Sequence, residues 1–285
     1  MGRIEMTFSV IITTYERPDY LRQSLQSAIK QSLKPNEIII VNDASNANYD
    51  SVVEEFSEHI THYVKVAVSK GANHARNIGV EKANSKYVAF LDDDDEWFET
   101  FLELHSREYN LDANINAVVC GYQIMNGDSI NVNKMQAVSE RSLKVGNPFC
   151  GMSGVSAKRE VAAFHPFDET LANGQDWDFF VRLVCAGNLI KNIASPLFYY
   201  RKNTPEGISA KTKSMKVEDA DHRLASAFKH REWMGERNFK RRIAEQLLNY
   251  LPSKQNKFGW LLKSLKLAGL VTTARVVVTK LLRQK

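Results

Sequence analysis

The chain has 285 residues, 44% hydrophobic and 25% charged, with a formal net charge of +5; that is ordinary for a folded protein and excludes a mainly disordered one. Its three cysteines, Cys120, Cys150 and Cys185, are odd in number and far apart, which excludes a disulfide scaffold and fits a reducing cytoplasm. The N-terminus lacks the apolar core of a secretory signal, and the apolar stretch Leu267 to Val278 is interrupted by Thr272, Thr273 and Arg275, well short of the ~18 residues a spanning helix needs.

In chain order, Phe8 to Thr13 is a short apolar run that reads as a buried strand. Pro18 then opens a helix with Leu21, Leu25, Ala28 and Ile29 on one face, ended by Pro35-Asn36. Glu37 to Asn42 is a second buried strand, ending at Asp43, and Tyr49 to Glu58 a helix. Tyr63 to Val68 is a third strand, Gly71 opens a helix through Ala83, and Tyr87 to Leu91 is a fourth strand that runs into Asp92-Asp93-Asp94-Asp95. Strands alternating with helices predict an α/β fold with a mostly parallel central sheet. Ligands of such sheets gather at the carboxyl ends of the strands, where Thr13-Thr14-Tyr15, Asp43 and the aspartate run fall. Further on, Asn116 to Ile124, Val155 to Lys158 and Leu197 to Arg201 read as strands and Gln175 to Ala186 as a helix; from Ser214 the chain is helical.

Between Phe239 and Lys285 eleven basic residues face one acid, Glu245, which leaves −5 for everything before them. A basic tail on a slightly acidic body predicts an anionic surface as partner, membrane or nucleic acid. Lys257 to Lys285 interleaves lysines with Phe258, Trp260 and leucines. Such a helix either lies in a membrane interface or packs on the body with a solvated basic face.

Four consecutive carboxylates repel one another and call for a counter-charge. Hard oxygen donors without neighbouring histidine or cysteine favour Mg²⁺ or Mn²⁺, ions that sit between carboxylates and substrate phosphates; the alternative is a solvated acidic loop or helix start before Trp97. No G-x-G-x-x-G follows the first strand, no G-x-x-x-x-G-K-[ST] occurs, and the histidines have no metal spacing. Dinucleotide oxidoreductases and P-loop NTPases are therefore disfavoured.

From Phe8 to Arg201 the chain resembles glycosyltransferase family 2, whose nucleotide-binding domain has the GT-A fold. Four segments carry the likeness in order: Val10 to Pro18, Ile39 to Ser45, Gly71-Ala72-Asn73-His74-Ala75-Arg76-Asn77, and Asp92-Asp93-Asp94 on the family's D-x-D motif. The resemblance implies Asp94 as metal ligand, Asp43 at the nucleoside base, Arg76 facing the nucleotide, and Thr13, Tyr15, Arg17, Asp92 and Asp93 around the donor; Asp92 holds the nucleoside sugar or the metal, and the roles of Asp93 and Asp95 stay open. Gly174 to Arg182 is similar to the family's E-D-x-x-x-x-x-R segment, with Gln175 where glutamate is usual. Asp176 is then the base that deprotonates the acceptor, with Asp178 as alternative, and Trp177 either stacks on an acceptor sugar or fills an apolar helix face.

The expected organisation is a GT-A catalytic domain over 1–213, with a nucleotide-binding half near 8–113 and an acceptor-binding half near 114–213, then a helical basic region over 214–285. The implied activity is inverting transfer of one sugar from a UDP-sugar, glucose or galactose before N-acetylglucosamine, with Mn²⁺ or Mg²⁺. The implied acceptor is a lipid-diphosphate-linked glycan of O-antigen or capsule synthesis, met at the inner face of the bacterial inner membrane by a cytoplasmic, peripheral protein with no nucleic-acid partner. Oligomeric state is not legible. A sugar-1-phosphate nucleotidyltransferase and a non-catalytic nucleotide-sugar-binding protein are the alternatives; the first should carry a Gly-rich phosphate loop after strand one, where this chain has Thr13-Thr14-Tyr15.

Overall fold

The structure, a computed structural model, describes residues 6–202 and 212–282. Residues 203–211 of the expected acceptor half, and Arg283 and Lys285 of the basic tail, lie outside them.

The first apolar run forms β1 (Phe8–Thr14), buried along its whole length as a strand covered on both faces must be. Pro18, with its preset φ, starts α1 (Pro18–Ile29), which turns Leu21, Leu25 and Ala28 inward. β2 (Glu37–Asn42), α2 (Asp50–Glu55), β3 (His62–Lys65), α3 (Ala72–Lys82) and β4 (Tyr87–Asp92) continue the alternation. Beyond the aspartates come β5 (Glu96–Trp97), α4 (Phe101–Leu111), β6 (Ile115–Ile124), β7 (Ile130–Asn131), β8 (Ala137–Val138) and α5 (Glu140–Leu143). Then follow β9 (Val155–Lys158), α6 (Arg159–Phe164), α7 (Gln175–Cys185) and β10 (Leu189–Tyr200). The strand expected over Leu197 to Arg201 is thus the end of a longer one. Its earlier part was hidden by Lys191, Asn192 and Pro196, and the pairing with β6 slips register on either side of Pro196.

Among the described residues ten strands form one sheet, with the main path β3-β2-β1-β4-β9-β6-β10-β5. Pairs β3-β2, β2-β1, β1-β4 and β6-β10 are parallel, while β9 runs antiparallel between β4 and β6. The chain winds outward from β1 through β2 to β3 and then returns to lay β4 on the other side of β1. That reversal opens a crevice at the strands' carboxyl ends, and the register sets Thr13 beside Asp92 there.

The chain divides into two compact units: Met1–Glu140, Pro148–Glu169 and Asp176–Arg201 form the first, and Arg141–Asn147, Thr170–Gln175 and Lys202–Lys285 the second. The division falls at Arg201, earlier than the expected boundary at 213, and two short inner segments join the helical unit. That unit contains the helices Ala220–Lys229, Arg231–Met234, Glu236–Leu247, Lys257–Ala268 and Leu270–Leu282. It has a core of its own, around Ile243, Leu247 and the fully buried Trp260, and Ser264 and Thr273 share a 2.9 Å hydrogen bond between its last two helices. Leu270, Val271, Leu281 and Leu282 are left exposed. No helix among the described residues is long and apolar enough to cross a membrane.

α3 lies close on β1 because Gly79 has no side chain; a Cβ there would run into Ile11. In an open helix Gly→Ala stabilises by ~1 kcal/mol, so the sign of the substitution reads this contact. Gly79→Ala should instead lose about 1–3 kcal/mol through overpacking, measured as a lower midpoint in urea unfolding.

Candidate active site

Along the aspartate run exposure alternates. The side chains of Asp92 and Asp94 are 30% and 19% exposed, whereas Asp93 and Asp95 are buried. A tight turn, with the Asp95 N–H on the Asp92 carbonyl at 3.1 Å, holds the run at the end of β4.

Much of the counter-charge comes from arginines. Arg76, buried on α3, donates to Asp92 at 2.5 Å, and Arg17, just before α1, reaches Asp93 at 2.5 Å and Asp94 at 2.7 Å. Arg201, just past β10, donates its backbone N–H to Asp95 at 2.9 Å and its Nε to the Asp94 carbonyl at 3.0 Å. The sequence reading asked a bound cation to relieve the whole repulsion; Arg17 and Arg76 do a large part of it. Relief is incomplete. Burial pushes the Asp93 carboxyl up to about 7 despite Arg17 beside it. Burial also raises Asp94, opposed by Arg17 and reinforced by Asp92, and it raises Asp95 further still.

The two buried acids serve the fold. Asp93 accepts from the Thr14 hydroxyl at 2.7 Å and the Tyr15 N–H at 3.3 Å, so it fixes the turn after β1. Expected among the donor-binding residues, it is corrected to an internal brace, because its side chain is fully buried and its oxygens are spent on Thr14, Tyr15 and Arg17. Asp95 accepts from Arg201 and from Ser153, whose Oγ also receives the Asp92 N–H at 3.1 Å.

The loops after β1 and β2 are tied together. Glu16, at φ 58°, accepts the N–H groups of Asn46 and Ala47 at 2.6 and 3.1 Å, and the buried Tyr49 hydroxyl bonds Thr14 and the Arg17 N–H, each at 2.9 Å. Tyr15, 46% exposed, stands at the mouth of the crevice, while Thr13 is buried beside Asp92. Asp43 is buried too. It accepts from the Ser69 hydroxyl at 2.7 Å and from the N–H groups of Lys70 and Gly71 at 3.0 and 2.8 Å, which shapes the entry to α3. The acid expected at a nucleoside base thus orders a loop, and only its remaining lone pairs could meet a base.

α7 opens with Gln175 and half-buried Asp176. Asp176 lies close enough to Cys150 for its charge to help raise that buried thiol, after burial itself, to about 12. Cys150 in turn packs against Gly154, next to the Ser153 that holds Asp92. Trp177 is 1% exposed, so the reading that stacks it on a sugar is corrected: it fills the core. Asp178 is buried in an ion pair with Arg182 at 2.9 Å one turn on, which leaves Asp176 as the accessible acid of this segment.

A divalent cation fits the two part-exposed carboxylates. Arg17 and Arg76 each engage one oxygen of Asp94 and Asp92, which leaves the second oxygen of each carboxylate for a cation. No cluster of three or more His, Cys, Asp or Glu among them forms a closed protein cage. Mg²⁺ and Mn²⁺ need none, since they take one or two carboxylates and complete their shell with phosphate oxygens and water. Ser153, Tyr49 and Glu16 left no pattern in the sequence that marks them as supports; Arg201, a cation directly after an apolar strand, did.

The fold is an α/β sheet with acids at the carboxyl end of its switch-point strand, and comparison with known proteins gives the family. The model of "Glycosyl transferase family 2" matches residues 9–158. The protein is 26% identical to the UDP-Glc:alpha-D-GlcNAc-diphosphoundecaprenol beta-1,3-glucosyltransferase WfgD of Escherichia coli, over 64% of this chain and 71% of that one. It is 29% identical to the amylovoran biosynthesis glycosyltransferase AmsB of Erwinia amylovora, over 74% and 75%. Among solved structures, the mannosyltransferase PcManGT of Pyrobaculum calidifontis in complex with GDP-Man and Mn²⁺ superposes with a TM-score of 0.63 at 16% identity, covering 98% of this chain and 80% of that one. S. aureus TarS 1-349 in complex with UDP-GlcNAc gives 0.62 at 16%, covering 95% and 90%. The chain belongs to glycosyl transferase family 2, and its fold is GT-A.

Arg17 is the natural probe of the charge balance. Arg17→Met leaves Asp93 and Asp94 without their nearest cation, and breaking a buried pair costs about 3–5 kcal/mol. A carboxyl whose folded pKa lies above its unfolded value stabilises the fold at low pH and loses that contribution as pH rises through the folded pKa. For Asp93 the window runs from about 4, the unfolded value, to about 7 in the native protein, and further without Arg17. The stability deficit of Arg17→Met should therefore be larger at pH 8 than at pH 5; urea unfolding at both pH values measures it, and an equal deficit would refute the charge account.

Proposed function

We propose that this chain transfers one sugar, with inversion, from a nucleotide diphosphate donor to a hydroxyl of a lipid-diphosphate-linked glycan in bacterial surface polysaccharide synthesis. The observation that carries the reading is the pair of part-exposed carboxylates, Asp92 and Asp94, offered at the β1/β4 crevice while their neighbours are buried. A UDP-sugar is the favoured donor, glucose or galactose before N-acetylglucosamine, supported by the name of the E. coli relative and by the UDP-GlcNAc complex of TarS. The lipid-diphosphate acceptor rests on the same relative's name. The exposed Leu270, Val271, Leu281 and Leu282 on a basic tail support peripheral contact with an anionic membrane face. We assign 1–213 to catalysis, with the nucleotide half first, and 214–285 to the helical region.

In this reading Asp94, with Asp92, holds Mn²⁺ or Mg²⁺, which when bound offsets the charge of the departing diphosphate. Arg76 and Arg17 keep both carboxylates in place, and Tyr15 borders the donor. Asp176 accepts the acceptor's hydroxyl proton as that oxygen bonds to the anomeric carbon and the bond from this carbon to the diphosphate oxygen breaks. An alcohol is too weak a nucleophile at neutral pH without such a base. Attack opposite the leaving group inverts the configuration, so an α-linked donor gives a β-linkage.

The test is nucleotide release by purified protein with Mn²⁺, a panel of nucleotide sugars and a lipid-diphosphate-linked acceptor. Asp176→Asn should lower kcat by ~10²–10⁴ with donor binding retained, and Asp94→Ala should lose Mn²⁺-dependent donor binding as well. Wild-type turnover in either folded variant would sink the assignment.

A further inference from the structure

The positive charge of the helical unit is gathered rather than spread. Its helices Ala220–Lys229, Glu236–Leu247 and Leu270–Leu282 border a cavity of about 820 Å³ whose wall carries Arg223, Arg237, Arg241, Arg242, Arg275 and Lys280. One acid, Glu245, lines it, and Arg241 takes that carboxylate at 2.8 Å. Arg242 is only 7% exposed and donates to the Val145 carbonyl at 3.1 Å. The Nε of Arg223 and the Oε1 of Gln246 are buried with no hydrogen-bond partner among the described residues, where Arg237 and Arg275 also find no carboxylate. Beside this wall Lys254 is buried over the Trp260 ring, 3.4 Å from its centre. Burial, together with the charges of Arg223 and Lys280, lowers its pKa to about 8.

Partly burying like charges side by side is unfavourable unless something of opposite sign joins them. Of these cations Arg223, half-buried, and Arg237 and Arg275, exposed, meet no acid among the described residues, so the wall's complement is a small group that concentrates several negative charges. Five of the six cations are arginines, whose planar forks match phosphate oxygens in pairs. A diphosphate meets both conditions, and the volume leaves room for what it is attached to.

We propose that this cavity is a diphosphate-binding site, made entirely by the helical unit and additional to the nucleotide crevice at β4. The diphosphate has two sources, a free anion or the head of a lipid carrier.

The experiment is calorimetric titration of the full-length protein in EDTA, so that binding which needs a divalent cation at Asp94 is silent. The probes are inorganic pyrophosphate, farnesyl diphosphate below its micelle concentration, and trigalacturonate as a polycarboxylate. Saturable binding of at least one diphosphate is expected, weakened at least tenfold in Arg237→Gln/Arg275→Gln, whose exposed sites leave the fold intact by circular dichroism, and unchanged in Asp94→Ala. Farnesyl diphosphate binding at least tenfold more tightly than pyrophosphate would support the site with a lipid-borne source; comparable affinities would support it with a free one. The proposal is overturned if neither diphosphate binds, if the double variant binds as well as the native protein, if Asp94→Ala abolishes binding, or if trigalacturonate binds as tightly. Loss of sugar transfer plays no part in these readouts, so this site and the transfer reaction stand or fall separately.

Discussion

Crowding four carboxylates at the end of a buried strand is the constraint around which the first unit is arranged. Repulsion in a partly desolvated place has to be met within a few ångströms, and the fold meets it with charge from Arg17 ahead of α1 and Arg76 on α3, while Arg201 after β10 adds its backbone N–H to Asp95. These cations arrive from elements far apart in sequence. The aspartate run is thus a point at which the sheet, two helices and the last strand are fastened together.

The same arrangement explains how a rigid support and a reactive edge coexist in consecutive residues. Asp93 and Asp95 spend their oxygens inward, on Thr14, Tyr15, Arg17, Ser153 and Arg201, while Asp92 and Asp94 keep part of theirs outward. Glu16 and Tyr49 repeat the pattern one layer away by joining the loops after β1 and β2. Sites held to a fraction of an ångström need this kind of backing. In the helical unit the balance is struck differently, because Arg223, Arg237 and Arg275 have no acid facing them among the described residues.

The strands up to β4 were legible because both their faces are buried, so that apolar runs bounded by Pro, Asn and Gly leave little ambiguity. β10 was half hidden, since an edge-ward strand carrying Lys191, Asn192 and Pro196 loses that signature. At the site, the places of Thr13 and Asp92 at the ends of β1 and β4, and of Arg76 on α3, were legible from the strand and helix boundaries. Trp177 misled because an aromatic residue beside an accessible acid looks the same in sequence whether it points at a sugar or into the core; only packing decides. Arg17's pairing with the acids was not foreseen either, because the separation of 77 residues from Arg17 to Asp94 is closed by the sheet and by no local pattern.

The alternation of exposure along the run also makes it sensitive to phase. Removing one aspartate would leave an acidic tract at the same place, with nearly the same charge and the same appearance in an alignment. Yet each carboxylate after the gap would move into its predecessor's place, so that an outward acid would turn in and an inward one out. For this segment a deletion is therefore a graver change than a substitution, and counting acidic residues says little about whether a related chain keeps the site.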